Sequence, residues 1–162
     1  MIGELEIAGI VADHAMLRRL CDDLELIADA LPELPAAAEA ELCRVRLEEF
    51  VPLHYRREER LFQALFDGGP HQALRRSLFA EIRAAHLLDN VHAQDLAAAL
   101  SQVTARPVQP ETLAYMLRCF FDGCRRAMAF ETLAILMLGE GRLTAEAREM
   151  LLESLATPRG GA

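Results

Sequence analysis

The sequence has no tryptophan and only two tyrosines among its 162 residues, and β-branched side chains are sparse beside alanine, leucine, glutamate and arginine. Strands draw on aromatic and β-branched residues, so this composition argues against a β-rich fold and favours helix. No apolar run approaches the roughly 20 residues needed to span a bilayer. The opening Met-Ile-Gly-Glu-Leu-Glu lacks the basic and apolar regions of a secretory leader. A clustered basic surface is not evident in a chain of formal net charge −8, which argues against nucleic-acid binding. The four cysteines, Cys21, Cys43, Cys119 and Cys124, show no CxxC spacing and read as buried thiols in a reducing compartment. The expected location is the cytoplasm, with neither membrane nor nucleic acid as a partner.

What is present is helical periodicity, cut by a few breakers. Pro32-Glu33-Leu34-Pro35, Gly68-Gly69-Pro70 and Arg106-Pro107-Val108-Gln109-Pro110 divide four long segments, the last of which stops near Gly139 to Gly141. A shorter fifth helix is expected to start with Thr144 as its N-cap and Glu146 in its first turn, and to end before Pro158. The expected class is all-α: an antiparallel up-down-up-down four-helix bundle with a short C-terminal fifth helix. One domain over residues 1–157 is expected, followed by a disordered tail over 158–162.

Each long segment carries an apolar seam with three- and four-residue steps. The first runs Ile10, His14, Leu17, Cys21, Leu24, Ala28, Leu31, and the second Leu47, Val51, His54, Glu58, Leu61, Leu65. The third runs Phe79, Ile82, His86, Asp89, Ala93, Leu96, Leu100, Val103, and the fourth Leu113, Leu117, Phe120, Cys124, Ala127, Glu131, Ala134, Leu138. Every seam thus has an ionisable residue facing inward. His54 and Glu58, at i and i+4, lie on one helix face and can reach one point in space. Ionised carboxylates beside neutral imidazoles are costly in an apolar bundle, and a bound cation compensates them together.

Asp13-His14, Pro52-Leu53-His54-Tyr55-Arg56-Arg57-Glu58-Glu59, Ala85-His86, Glu131 and the turn Gly139-Glu140-Gly141-Arg142-Leu143-Thr144-Ala145-Glu146 together resemble the hemerythrin-like, HHE cation-binding family of four-helix bundles. The resemblance implies two non-haem irons. His14 and His54 would cap one, His86 the other, and Glu58 and Glu131 would bridge them. The fourth-helix motif of that family is His-x-x-x-Glu, whereas Ala127-Met128-Ala129-Phe130-Glu131 keeps only the glutamate. The resemblance therefore implies an altered site, short of a nitrogen donor beside His86, with Asp89 as a candidate replacement ligand or as a hydrogen-bond acceptor orienting His86. Iron, as a pair or a single ion, is the expected cofactor, with manganese or zinc as alternatives.

The remaining polar residues have plainer readings. His92 falls off its seam, His71 sits at a turn, Glu59 should point to solvent, and Tyr55 reads as a boundary residue. Arg56-Arg57 and Arg125-Arg126 read as solvated faces, and Met128, Met137 and Phe120-Phe121 as packing material. The expected activity is binding of, or oxidase- or peroxidase-like reaction with, a small oxidant such as dioxygen, nitric oxide or peroxide. The alternatives are a metal-binding sensor or regulatory module without turnover, and a metal-free bundle serving as an interaction scaffold. The sequence leaves the oligomeric state open.

Overall fold

A computed structural model of the chain describes residues 4–67 and 71–156. The described residues form helices and turns, with no strand among them. Helix α1 spans Glu4–Ala30. Helix α2 (Ala37–Val45) runs through a π turn (Arg46–Phe50) into α3 (Val51–Phe66). Helices α4 (Gln72–Ser101) and α5 (Pro110–Leu138) follow, then a 3₁₀ turn (Glu140–Arg142) and α6 (Ala145–Ala156). The expected breaks at Pro32 to Pro35 and before Pro110 fall between helices, and Pro110 itself opens α5, where its missing N–H costs nothing. Thr144 caps α6 as expected, its hydroxyl accepting the Ala147 N–H at 3.2 Å. Gly68 to Pro70, Pro158 and the expected disordered tail lie outside the described residues.

The π turn corrects the expectation of one uninterrupted second helix. Pro52 stands in the first turn of α3, where its ring would crowd the carbonyl four residues back in a regular helix. Widening the preceding turn relieves that clash, and the Val51 N–H bonds the Arg46 carbonyl. The widened turn ends four residues before His54 and sets the face on which His54 and Glu58 emerge.

Helix α1 packs on α5, α3 and α6, and α4 packs on α5 and on the whole α2–α3 rod. The apolar seams are buried as expected, except for the half-buried Leu31, Phe79, Ala127 and Leu138, and the buried residues form two separate clusters. One gathers Leu17, Leu24, Leu47, Val51, Leu96, Leu117 and Phe120 with their neighbours. The other gathers Ile7, Ile10, Phe62, Leu65, Ile82 and Ile135. The polar seam residues fall between the two on each helix in turn: His14 between Ile10 and Leu17, Glu58 between Val51 and Phe62, His86 between Ile82 and Leu96, Glu131 between Phe120 and Ile135. A single polar layer thus crosses the interior between two greasy halves.

Charged pairs fix the helices around that layer. Arg125 reaches Asp22 and Glu25 at 2.6 Å each, and Arg118 reaches Asp29 at 3.1 Å, tying α5 to α1. Arg125 is therefore half-buried and paired, not a free solvated residue. Met137, expected in the packing, is exposed instead. No helix of the described residues is long and apolar enough to cross a membrane.

Candidate metal centre

His14, His54, Glu58, His86 and Glu131 come from four helical stretches and meet in the buried layer, none more than 2 % exposed. Their ligand atoms fall into two groups, His14–His54–Glu58 and Glu58–His86–Glu131, with the atoms of each group within 4.8 Å of one another. Glu58 belongs to both. Its Oε1 lies 3.1 Å from His14 Nε2, and its Oε2 lies 3.3 Å from His54 Nε2 and 3.5 Å from His86 Nε2. Glu131 spans the layer from the other side, 2.9 Å from His86 Nε2 and 3.7 Å from His14 Nε2.

Proximity here does not amount to satisfaction. Both ring nitrogens of His54, Oε2 of Glu58 and Oε2 of Glu131 are fully buried without a hydrogen-bond partner among the described residues. Leaving a buried polar atom unpaired costs about 1–3 kcal/mol, so four in one layer would be a heavy and concentrated penalty. Imidazole nitrogens and carboxylate oxygens aimed at common points are the donor set of a transition-metal ion, and a cation would engage these atoms together. The residues present fit such an ion.

The electrostatics follow from the same crowding. Burial pushes the Glu58 carboxyl up, but His14, His54 and His86 together overcome it and hold the group well below its ordinary range. Glu131, raised by burial and by the charge of Glu58, stays above its ordinary value even though His86 and His14 pull the other way. Burial would depress His86, yet Glu131 and Glu58 override it and carry its pKa to about 10. His54 is raised as well, burial again opposing and Glu58 prevailing. Without a cation, protons on His54 and His86 supply positive charge that the carboxylates demand.

A second ring of contacts stands behind the histidines. The Nδ1 of His54 approaches Asp13 Oδ2 at 3.5 Å, and Arg57 lies 3.3 Å behind that oxygen. On the opposite side, His86 Nδ1 approaches Glu59 Oε1 at 3.3 Å, and Arg83 lies 3.4 Å from the other Glu59 oxygen. A carboxylate at Nδ1 holds the proton there and leaves the Nε2 lone pair for the interior. Tyr55 stacks on His86 with ring centroids 4.2 Å apart and planes 13° apart, and Phe50 stacks on His54 at 6.1 Å and 19°.

Asp89 is buried but lies outside both groups of ligand atoms. Its Oδ2 accepts the Tyr55 hydroxyl at 3.2 Å, and burial holds its carboxyl above the ordinary value. Through Tyr55 it braces the ring stacked on His86. Ala127 is half-buried one turn before Glu131 and offers no ligand atom. His71 is exposed and His92 half-buried.

Two expectations need correction. Glu59 is not a solvent-pointing neighbour of Glu58; it is half-buried because α4 brings His86 Nδ1 within reach of its carboxylate. Tyr55 is only 2 % exposed, not a boundary residue, because it fills the space between His86, Asp89 and Cys124. The role of Asp13 was also missed. Its position before His14 in the motif was the available signal, but the approach to His54 comes from another helix.

No curated protein and no solved structure matches the chain significantly. The family model of the hemerythrin HHE cation binding domain matches residues 5–138, and with four of its helical stretches converging on one buried histidine–glutamate layer, the chain belongs to that family.

Proposed function

We propose that this chain holds two iron ions, one in each ligand group, and binds or reacts with small oxidants. The observation that carries the reading is the position of Glu58, shared by two groups and leaving a buried oxygen without a hydrogen bond among the described residues. The arrangement we infer for the bundle is antiparallel and up-down-up-down. The cross-helix pairs support it: 29 with 118, 22 with 125 and 14 with 131 between α1 and α5, then 59 with 83 and 55 with 89 between α3 and α4. In each series one number falls as the other rises.

Ferrous ions at these positions would supply electrons and open coordination positions to dioxygen, nitric oxide or peroxide. The chain itself makes the two positions unequal. His14 and His54 give one group two imidazoles, whereas the other has His86 alone, with Ala127 donorless and Asp89 engaged by Tyr55. The group with one imidazole is the more open to an incoming ligand, which favours reaction over reversible carriage. Tyr55 and Phe50, stacked on the rings of His86 and His54, hold those imidazoles in place and exclude water from their flanks. The four cysteines are free, which suits a reducing compartment such as the cytoplasm.

The test is anaerobic loading with ferrous iron, followed by optical spectra on adding oxygen, nitric oxide or peroxide. Irreversible oxidation of the iron on oxygen or peroxide addition is expected. A band that appears with oxygen and bleaches on deoxygenation would support a carrier instead. No spectral change with any of the three would leave a metal-binding module without turnover.

A further inference from the structure

A different set of charges gathers outside the buried layer. The chain carries 17 basic residues, all of them arginine, against 25 acidic ones. On this acidic background three arginines and one carboxylate line a cleft of about 410 Å³ between α3 and α4, formed by Arg56, Glu59, Arg60, Gln63, Phe79 and Arg83. Arg56, Arg60 and Gln63 follow one another along the outer face of α3, while Phe79 and Arg83 are one turn apart on α4. The Arg83 guanidinium lies over the Phe79 ring at 5.9 Å and directs its Nε to Glu59 at 3.4 Å. Arg60 spends its Nε on the Arg56 backbone carbonyl at 3.1 Å. Neither Arg56 nor Arg60 has a carboxylate partner among the described residues. Glu59 is the one anion among the described residues that line the cleft, and its other oxygen touches His86 Nδ1 at 3.3 Å.

We propose that this cleft binds a small oxyanion of the phosphate class, and that the bound anion acts on the buried layer through Glu59. Guanidinium groups present paired N–H donors that match the oxygens of phosphate, and the Gln63 amide adds a neutral donor beside them. Three cations against one carboxylate give the cleft a local positive excess on a chain of net charge −8. An anion here competes with Glu59 for Arg83. Released from Arg83, the Glu59 carboxylate concentrates on the Nδ1–H of His86 and makes that imidazole a stronger donor at Nε2. The anion cleft stands without the metal centre; the consequence at His86 for metal binding rests on the function proposed above.

Calorimetric titration of inorganic phosphate and of pyrophosphate into the metal-free full chain tests the cleft directly. Saturable binding is expected, weakened about tenfold or more by Arg60→Gln or Arg83→Gln and unaffected by Arg19→Gln, a change at an exposed site on α1. Circular dichroism confirms that each variant is folded. Absence of saturable binding, or equal weakening by Arg19→Gln, overturns the site. Sedimentation with phosphatidylcholine vesicles, with and without phosphatidic acid, separates a free oxyanion from a lipid headgroup: vesicle binding without phosphate binding overturns the proposal. The link to His86 is read from its ring-nitrogen resonances, which should move on phosphate addition in the parent chain and stay fixed in Glu59→Gln. Binding with unmoved His86 resonances overturns the link alone. A chain that binds phosphate but takes up no iron would sink the proposed function and leave the cleft standing.

Discussion

Tyr55→Phe separates the hydroxyl that Asp89 depends on from the ring that His86 depends on. The substitution keeps the stack on His86 and removes the only hydrogen bond to the buried Asp89 carboxylate among the described residues. A hydrogen bond to a charged group contributes about 1.5–3 kcal/mol, and the partner left behind here is only 7 % exposed. A loss of about 2 kcal/mol is therefore expected in urea denaturation of the metal-free protein, or roughly 4–8 °C in Tm for a chain of this length. The cost should depend on pH. Asp89 is raised above 3.8 mainly by burial, with Tyr55 pulling it down. A group with a raised folded pKa favours the folded state at low pH and loses that advantage as pH rises through the folded value. Without Tyr55 the pKa rises further, so the gap between parent and variant should narrow on acidification, toward about the 1 kcal/mol of a neutral hydrogen bond. Tyr55→Leu should cost about 1 kcal/mol more, because it also removes the stacked pair. A Tyr55→Phe variant within about 0.5 kcal/mol of the parent at neutral pH would refute the role given to the hydroxyl.

Two glycines should respond in opposite ways. Gly9 has nothing within 4 Å of an added Cβ, so Gly9→Ala should stabilise α1 by about 0.5–1 kcal/mol. At Gly139 the same atom would meet the Ile135 carbonyl at 2.5 Å and Leu65 at 3.1 Å, so Gly139→Ala should cost about 1–3 kcal/mol in denaturant melts. Between pH 6.5 and about 10 the metal-free protein should lose stability as pH rises, since His86 moves from 6.5 to about 10 on folding: its contribution is complete below pH 6.5 and disappears as pH approaches about 10. His86→Gln should flatten that slope in Tm measured across the range.

Much of the interior was legible because burial follows periodicity. The three- and four-residue steps put His14, His54, Glu58, His86 and Glu131 on the buried faces without reference to any neighbour. What periodicity cannot see is the contact made by the next helix. Glu59 sits one residue off the seam, and only the approach of His86 from α4 makes it an interior group. The same holds for Asp13, drawn to His54 across α1 and α3, and for Tyr55, whose position beside His54 suggested an edge until α4 and α5 closed over it. Asp89 lay on its seam and is buried, but only Tyr55 determines which way its carboxylate turns. The π turn was hidden for another reason: Pro52 announces a break in the hydrogen-bond ladder, and the choice between a kink and a widened turn is made by packing on both sides.

The shared position of Glu58 is the central claim, and metal content measures it most directly. Protein produced with iron available should carry two ions per chain. His54→Ala should keep the ion held by Glu58, His86 and Glu131, whereas Glu58→Ala should lose both. Ala127→His should hold as much iron as the parent or more. Full iron content in Glu58→Ala, with the variant folded, would contradict the account.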